Sequence, residues 1–142
     1  MEATRAYREL LLGCERIFLV YPVWWGGLPA VLKGFVDRTF VSGQMYSFEG
    51  RPPAAIFPRG LMRDHELHAF YTLDTPWLLP WLDPGWWSLY FSVFQYCGFR
   101  KIRRDVLPRL KAKTAEQREA WLAEVRRHGV RLGAAAGPSR RR

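Results

Sequence analysis

Pro22, Val23, Trp24, Trp25 and Gly26 form the stretch of this chain that is best suited to hold a flat ligand. Tryptophan is costly to leave in water, and glycine lets a backbone approach a bound group closely. Two indole rings beside a glycine pair therefore predict a surface on which an aromatic ring stacks, with backbone N–H groups within its reach. The alternative is that both tryptophans fill an interface between subunits.

A second candidate segment consists of Thr72, Leu73, Asp74 and Thr75, which end the apolar run ELHAFYTLD. The tryptophan segment likewise follows an apolar run, RIFLVYP. If both runs are parallel strands, their carboxyl ends meet at one edge of a sheet, where such folds bind ligands. We therefore expect the two segments to line one pocket.

The histidines and cysteines predict no further chemistry. His65 and His68 form H-x-x-H with no other ligand nearby in the sequence, so we predict no metal site. No Ser-His-Asp pattern is present, and no catalytic residue is assigned. Cys14 and Cys97 match no CxxC motif and are predicted to be reduced, buried thiols of a cytoplasmic protein, with a single disulfide as the alternative.

Alternating strand and helix patterns position these segments. Helices are predicted over 2–13, 29–40, 86–96 and 114–131, and strands over 16–22, 66–74 and 99–107. The continuous apolar run RIFLVYP predicts a strand that is buried on both faces. The pattern indicates an α/β fold, a parallel sheet with helices on both faces.

Local side-chain patterns support two of these helices. In the second helix, an apolar face is predicted, and Lys33 and Asp37 are expected to form an ion pair on the opposite face. The members of that apolar face are Leu28, Val31, Leu32, Phe35, Val36 and Phe40. In the last helix, the segment TAEQ fits a capping box that begins at Thr114.

The net charge of +9 is concentrated in the last third of the chain. Residues 1–96 carry 8 basic and 9 acidic side chains, whereas residues 97–142 carry 14 and 4. We expect 132–142 to be a disordered basic tail. The basic end leaves binding to nucleic acid or anionic lipid as an alternative function, although no groove of alternating aromatic and basic residues accompanies it and nucleic acid is not expected. No uncharged apolar run of about 18 residues predicts a transmembrane segment.

The segment YPVWWGGLPAVLKGFVDRTF resembles the signature of the flavodoxin-like NAD(P)H:quinone oxidoreductases. This family includes mammalian quinone reductase, the bacterial drug-activity modulator B and ancillary subunits of potassium-efflux systems. The matching positions are Pro22, Trp25, Pro29, Ala30, Lys33, Gly34, Asp37 and Arg38. YCGFRKI and TAEQREAWLAEVRRHG resemble the segment before the last strand of the family and its closing helix.

The resemblance implies a flavodoxin-like homodimer that carries FMN or FAD, takes hydride from NADPH or NADH and reduces quinones or similar acceptors. Val23, Trp24, Trp25 and Gly26, after Pro22, fall on the first flavin loop of the family. Thr72, Leu73, Asp74 and Thr75 fall on the second, which normally reads Thr-Thr-Gly-Gly. Met45, Tyr46 and Ser47 fall on the acceptor loop, where Tyr46 is expected to cover the open face of the ring; the alternative is a surface aromatic residue on a loop.

Family members begin with a strand, a loop that holds the flavin phosphate, a helix and a second strand. Only one predicted helix precedes RIFLVYP here, so we expect 1–131 to be an incomplete flavodoxin-like domain with the last three of five strands. On this reading the chain alone binds FMN weakly or not at all and tends to associate. A non-catalytic ancillary subunit of the same fold is the alternative to an active enzyme.

Overall fold

The computed structural model of this protein describes residues 2–74 and 83–134. Its α-helices are α1 (Glu2–Gly13), α2 (Ala30–Thr39), α3 (Pro84–Leu89) and α4 (Ala115–Ala134). Its strands are β1 (Arg16–Pro22), β2 (Tyr46–Ser47), β3 (Arg59–Gly60), β4 (Glu66–Thr72) and β5 (Lys101–Leu107). A π-helical turn (Tyr90–Gln95) continues α3, and a 3₁₀ turn (Leu110–Ala112) follows β5.

The central sheet has the order β1-β4-β5, with both neighbouring pairs parallel. In its register, Arg16 lies beside Glu66, and Glu66 lies beside Lys101. The predicted α/β fold is therefore confirmed. The predicted loop between α2 and β4 differs in one respect, because β2 and β3 pair there as a short antiparallel ladder.

The predicted local interactions of α2 and α4 are confirmed. The Lys33 ammonium lies 2.6 Å from the Asp37 carboxylate. At the start of α4, the Thr114 hydroxyl accepts a hydrogen bond from the Gln117 amide, and the Gln117 side chain accepts one from the Thr114 amide. These reciprocal bonds satisfy two amides that the first helical turn leaves without partners.

The structure corrects the predicted apolar face of α2 and the predicted end of α4. Val31 was expected on the apolar face of α2 but is 87% exposed, whereas Val36 is buried. The last helix extends to Ala134, so residues 132–134 are helical rather than part of a tail. Residues 135–142, the rest of the predicted tail, lie outside the described part of the chain.

The prediction that β1 is buried on both faces is wrong. Ile17, Leu19 and Tyr21 are buried, but Phe18 and Val20 on the other face are 44% and 71% exposed. Within the described residues, β1 is an edge strand that pairs only with β4. An edge strand loses one neighbour in the sheet, and its apolar residues stay in contact with water when no helix lies over them.

We expect this exposed strand to promote association between copies of the chain, and Val20→Lys to reduce it. A lysine at an edge blocks pairing with another strand because its charge would have to leave water. Sedimentation velocity at increasing concentration should show a larger monomer fraction for Val20→Lys than for the wild type. Val31→Lys, at a valine on α2 that is even more exposed than Val20, is the control. Equal association of the wild type and Val20→Lys would contradict the prediction.

Both cysteines are free thiols, as predicted, although Cys14 is only half-buried. Burial raises the pKa of Cys97 to about 12 and also raises the pKa of Cys14. Among the described helices, none is long and apolar enough to cross a bilayer.

Candidate functional site

The tryptophan segment forms a tight hairpin directly after β1. The Trp24 amide donates to the Gly27 carbonyl at 3.0 Å, and the Gly27 amide donates to the Trp24 carbonyl at 2.9 Å. Trp25 and Gly26 are the two central residues, with φ of 51° and 72°. Positive φ at both central positions is the pattern of a type I′ turn, which suits two-residue hairpins.

Trp25 is in an unusual state for its type. A bulky residue with positive φ is strained, and such strain is kept where the surrounding structure imposes it. The indole is also fully exposed, and that of Trp24 is 61% exposed. Neither tryptophan is buried in the described part of the chain, so both rings are available to a ligand or, as in the alternative, to another subunit.

The hairpin rests on the first turn of α3. A Cβ atom on Gly85 would lie 2.3 Å from the Gly26 carbonyl oxygen and 3.0 Å from the Gly27 Cα. Gly85 thus allows two backbones to touch where no side chain fits. Pro84 lies beside Gly26, and Asp83 caps the helix by accepting a hydrogen bond from the Trp86 amide at 2.9 Å.

The second predicted segment joins the hairpin through the sheet. The Val23 amide donates to the Thr72 carbonyl at 2.7 Å, so the two segments meet at the carboxyl ends of β1 and β4. Leu73 is buried and donates to the Leu107 carbonyl at the end of β5. Thr75, the last member of the segment, lies outside the described residues.

Asp74 is held by the turn that follows β5. Its carboxylate accepts a hydrogen bond from the Lys111 amide at 3.1 Å and lies 3.0 Å from the Lys111 ammonium. The amide and then the ammonium lower the pKa of Asp74, which therefore remains charged. Its oxygen atoms are occupied by this contact.

An aromatic layer supports the hairpin from inside the fold. The Tyr21 and Tyr71 rings stack 5.1 Å apart at the ends of β1 and β4, and Tyr71 stacks on Trp86 at 6.0 Å. The Arg104 guanidinium lies 5.2 Å from the Trp86 ring centre and 5.5 Å from that of Trp87. It also donates to the Tyr71 hydroxyl at 3.0 Å.

Both tyrosines of this layer keep their protons at neutral pH. Burial raises the pKa of Tyr21 and of Tyr71 well above the ordinary value, and the neighbouring Asp83 carboxylate raises both further. The arrangement is therefore suited to holding a fixed surface and not to exchanging protons near pH 7.

The predicted acceptor loop is divided between core and surface. Met45 is fully buried, so its side chain belongs to the core. Tyr46 is half-buried and packs edge-on against Tyr96 at 4.9 Å. It lines a cleft of about 240 Å³ together with Val93. Ser47 accepts a hydrogen bond from the Glu49 amide at 3.0 Å, which shapes the loop.

Sequence reasoning missed Gly85, Asp83 and the Arg104 layer. Asp-Pro before an apolar helix is a recognisable start signal, with the cap at Asp83 and proline in the first turn. That signal predicts where α3 begins, but it does not predict that the hairpin packs against its first turn. Arg104 follows another arginine on β5, and only the inward direction of its side chain distinguishes it from Arg103.

Comparison with known proteins extends these observations. Residues 2–128 match a family model described as "Flavodoxin-like fold". The chain is 35% identical over 67 residues to an uncharacterized NAD(P)H oxidoreductase of Haemophilus influenzae. This match covers 47% of this chain and 31% of that protein. It is 23% identical over 116 residues to the ribosyldihydronicotinamide dehydrogenase [quinone] of Rattus norvegicus, covering 77% and 48%. The chain thus spans about a third of the first relative and about half of the second.

A solved structure shows the same fold. The FMN-dependent NADH-azoreductase of Bacillus anthracis, crystallised in complex with FMN, superposes with a TM-score of 0.73 at 14% identity and covers 92% of this chain and 62% of that one. Three observations point to the same fold. The strands of the sheet are parallel, a hairpin follows at their carboxyl ends, and the family model matches nearly the whole described region. This chain belongs to the flavodoxin-like fold family.

Proposed function

We propose that this chain binds FMN at the Trp24–Gly27 hairpin and serves an NAD(P)H-dependent reduction of quinone-like acceptors. The observation that carries the proposal is Trp25, a fully exposed indole on a backbone with positive φ, at the carboxyl ends of parallel strands. The names of the relatives support the reaction class, and the azoreductase with FMN supports FMN as the flavin.

The residues present fit the flat ring of a flavin. The Trp25 indole offers a stacking surface. Within the described part of the chain, the amides of Trp25 and Gly26 donate no hydrogen bond and are left for the carbonyl oxygens of a ligand. Bound FMN would supply the redox chemistry, the transfer of hydride from a nicotinamide to an acceptor.

The contribution of the protein is position and shape. The close approach of Gly85 sets the height of the hairpin above α3. The layer of Tyr21, Tyr71 and Arg104 holds that region of the sheet rigid. Because the tyrosines keep their protons, no group of this layer is assigned a proton transfer, and a catalytic residue is not proposed.

We further propose that the acceptor packs against Tyr46. The ring of Tyr46 borders the 240 Å³ cleft, and Tyr96 extends the aromatic surface beside it. A homodimer and a cytoplasmic location remain predictions. They are supported by the exposed tryptophans, which suit a subunit contact near the flavin, and by the two free thiols.

The test of this function is FMN titration of Trp25 variants. Removing the ring in Trp25→Ala or Trp25→Gly should weaken FMN binding about fivefold or more, because aromatic stacking contributes about 1 kcal/mol. Trp25→Phe should keep most of the affinity. Since glycine accepts positive φ freely, a loss in both the Ala and Gly variants separates the missing ring from backbone strain.

Quenching of FMN fluorescence reports the affinity. Equal affinity in the wild type and the three variants would refute the placement of the flavin. Oxidation of NADPH or NADH with a soluble quinone then decides whether the FMN-bound protein is an enzyme. Retention of FMN without quinone-dependent turnover would instead support the non-catalytic subunit.

A further inference from the structure

Three potential metal ligands meet where α4 contacts the central sheet. They are His68 on β4, Asp105 on β5 and His128 on α4. His68 Nε2 lies 2.5 Å from Asp105 Oδ2, and His128 Nδ1 lies 3.8 Å from the same oxygen. All three ligand atoms lie within 4.8 Å of one another. The sequence shows no further ligand near His68, because Asp105 and His128 reach it only through contacts between distant segments.

The surroundings hold the His68 ring in a fixed plane. Its side chain is 8% exposed, and the ring stacks on Phe70 at 4.2 Å and lies beside Phe18 at 6.3 Å. Asp105 and His128 are more open, with side chains 35% and 26% exposed. One side of the cluster therefore faces water, which leaves room for a water molecule as a further ligand.

The donor set selects a class of ion. Two imidazoles and one carboxylate are ligands that Zn²⁺ and its neighbours in the transition series prefer, whereas Mg²⁺ and Ca²⁺ prefer oxygen alone. Ligands of a tetrahedral ion with bonds of about 2.1 Å lie roughly 3.4 Å apart. The His68–Asp105 distance must lengthen by about 1 Å, and the His128–Asp105 distance must shorten by a few tenths of an ångström, to reach that spacing.

We propose that His68 Nε2, Asp105 Oδ2 and His128 Nδ1 bind one Zn²⁺-type divalent ion, with water as the fourth ligand. Each ligand comes from a different element, so the ion fastens α4 to β4 and β5. Arg103 lies beside His68 in the strand register, and its charge weakens the attraction for a cation. The bare cluster holds together through the His68–Asp105 hydrogen bond, which the ion replaces.

The experiment uses the full chain without a histidine tag. Zn²⁺ binding is measured by calorimetry, and Co²⁺ is added as a coloured substitute whose intense visible absorption reports tetrahedral coordination. The variants are His128→Ala and Asp105→Asn, both at partly exposed positions that disturb the fold little. The chain has three histidines, so His65→Ala removes the one that is outside the cluster and serves as the matched control.

The wild type and His65→Ala should bind one Zn²⁺ per chain, and both test variants should bind at least tenfold more weakly. Zn²⁺ should raise the melting temperature of the wild type and of His65→Ala, but not that of the test variants. Failure of the wild type to bind one ion would overturn the site. So would an equal loss in His65→Ala, because adventitious binding to any histidine would then explain the signal.

Discussion

The Gly85→Ala variant is expected to lose roughly tenfold or more in FMN affinity, a cost of about 1.4 kcal/mol. The added methyl group would lie 2.3 Å from the Gly26 carbonyl oxygen, a backbone atom that cannot rotate away. The hairpin must therefore move off α3, and Trp25 moves with it. Alanine is otherwise the better helix former, so the local effect on α3 alone would be stabilising.

Gly129→Ala on α4 is the matched control, because its Cβ meets nothing within 4 Å. FMN affinity by fluorescence quenching and melting temperature by circular dichroism are measured on both variants. If Gly85→Ala stays folded and binds FMN as the wild type does, the hairpin is not the flavin site. Reduced affinity in Gly129→Ala as well would also count against the assignment.

The Gly60→Ala variant is expected to be less stable by about 3 kcal/mol, since overpacking of a tight contact carries a cost of this order. Its Cβ would lie 2.4 Å from the Gly98 Cα and amide nitrogen. Two backbones cross at this point, and the crossing is joined by the hydrogen bond of the Met62 amide to the Cys97 carbonyl at 2.9 Å. Neither β3 nor the turn at Gly98 can move away without disturbing the core around Cys97.

Thermal unfolding should show a fall in melting temperature of about 10 °C for Gly60→Ala. Gly13→Ala, whose Cβ meets nothing within 4 Å, should melt close to the wild type. Gly60 pairs with Tyr46 across β2 and β3, so the same variant should also weaken quinone turnover if Tyr46 carries the acceptor. A melting temperature within about 2 °C of the wild type would show that the crossing adapts to a side chain.

Much of the secondary structure was predictable because its causes are local. The strand Arg16–Pro22 and the helix Glu2–Gly13 were predicted with their exact ends, from an apolar run closed by proline and from a helical pattern closed by glycine. The cap at Thr114 and the Lys33–Asp37 pair join residues three or four apart. Interactions of this range are set by backbone periodicity, which the sequence displays directly.

The candidate flavin site was predictable in part. The tryptophan and glycine types pointed to the hairpin, and the resemblance to a family placed a ligand there. The positive φ of Trp25 and its full exposure were not visible in the sequence, because they depend on how α3 receives the hairpin. The burial of Met45 likewise depends on the core that closes around it and not on its own neighbours in the chain.

The sequence by itself determined the order of strands and helices, the signature of the hairpin and the fold family. Only the tertiary structure decided which face of β1 meets water, where Gly85 touches Gly26, and that His68, Asp105 and His128 come together. The physical reason is sequence separation: His68 and Asp105 are 37 positions apart along the chain. Contacts over such distances follow from strand register and helix packing, which no local pattern of residues encodes.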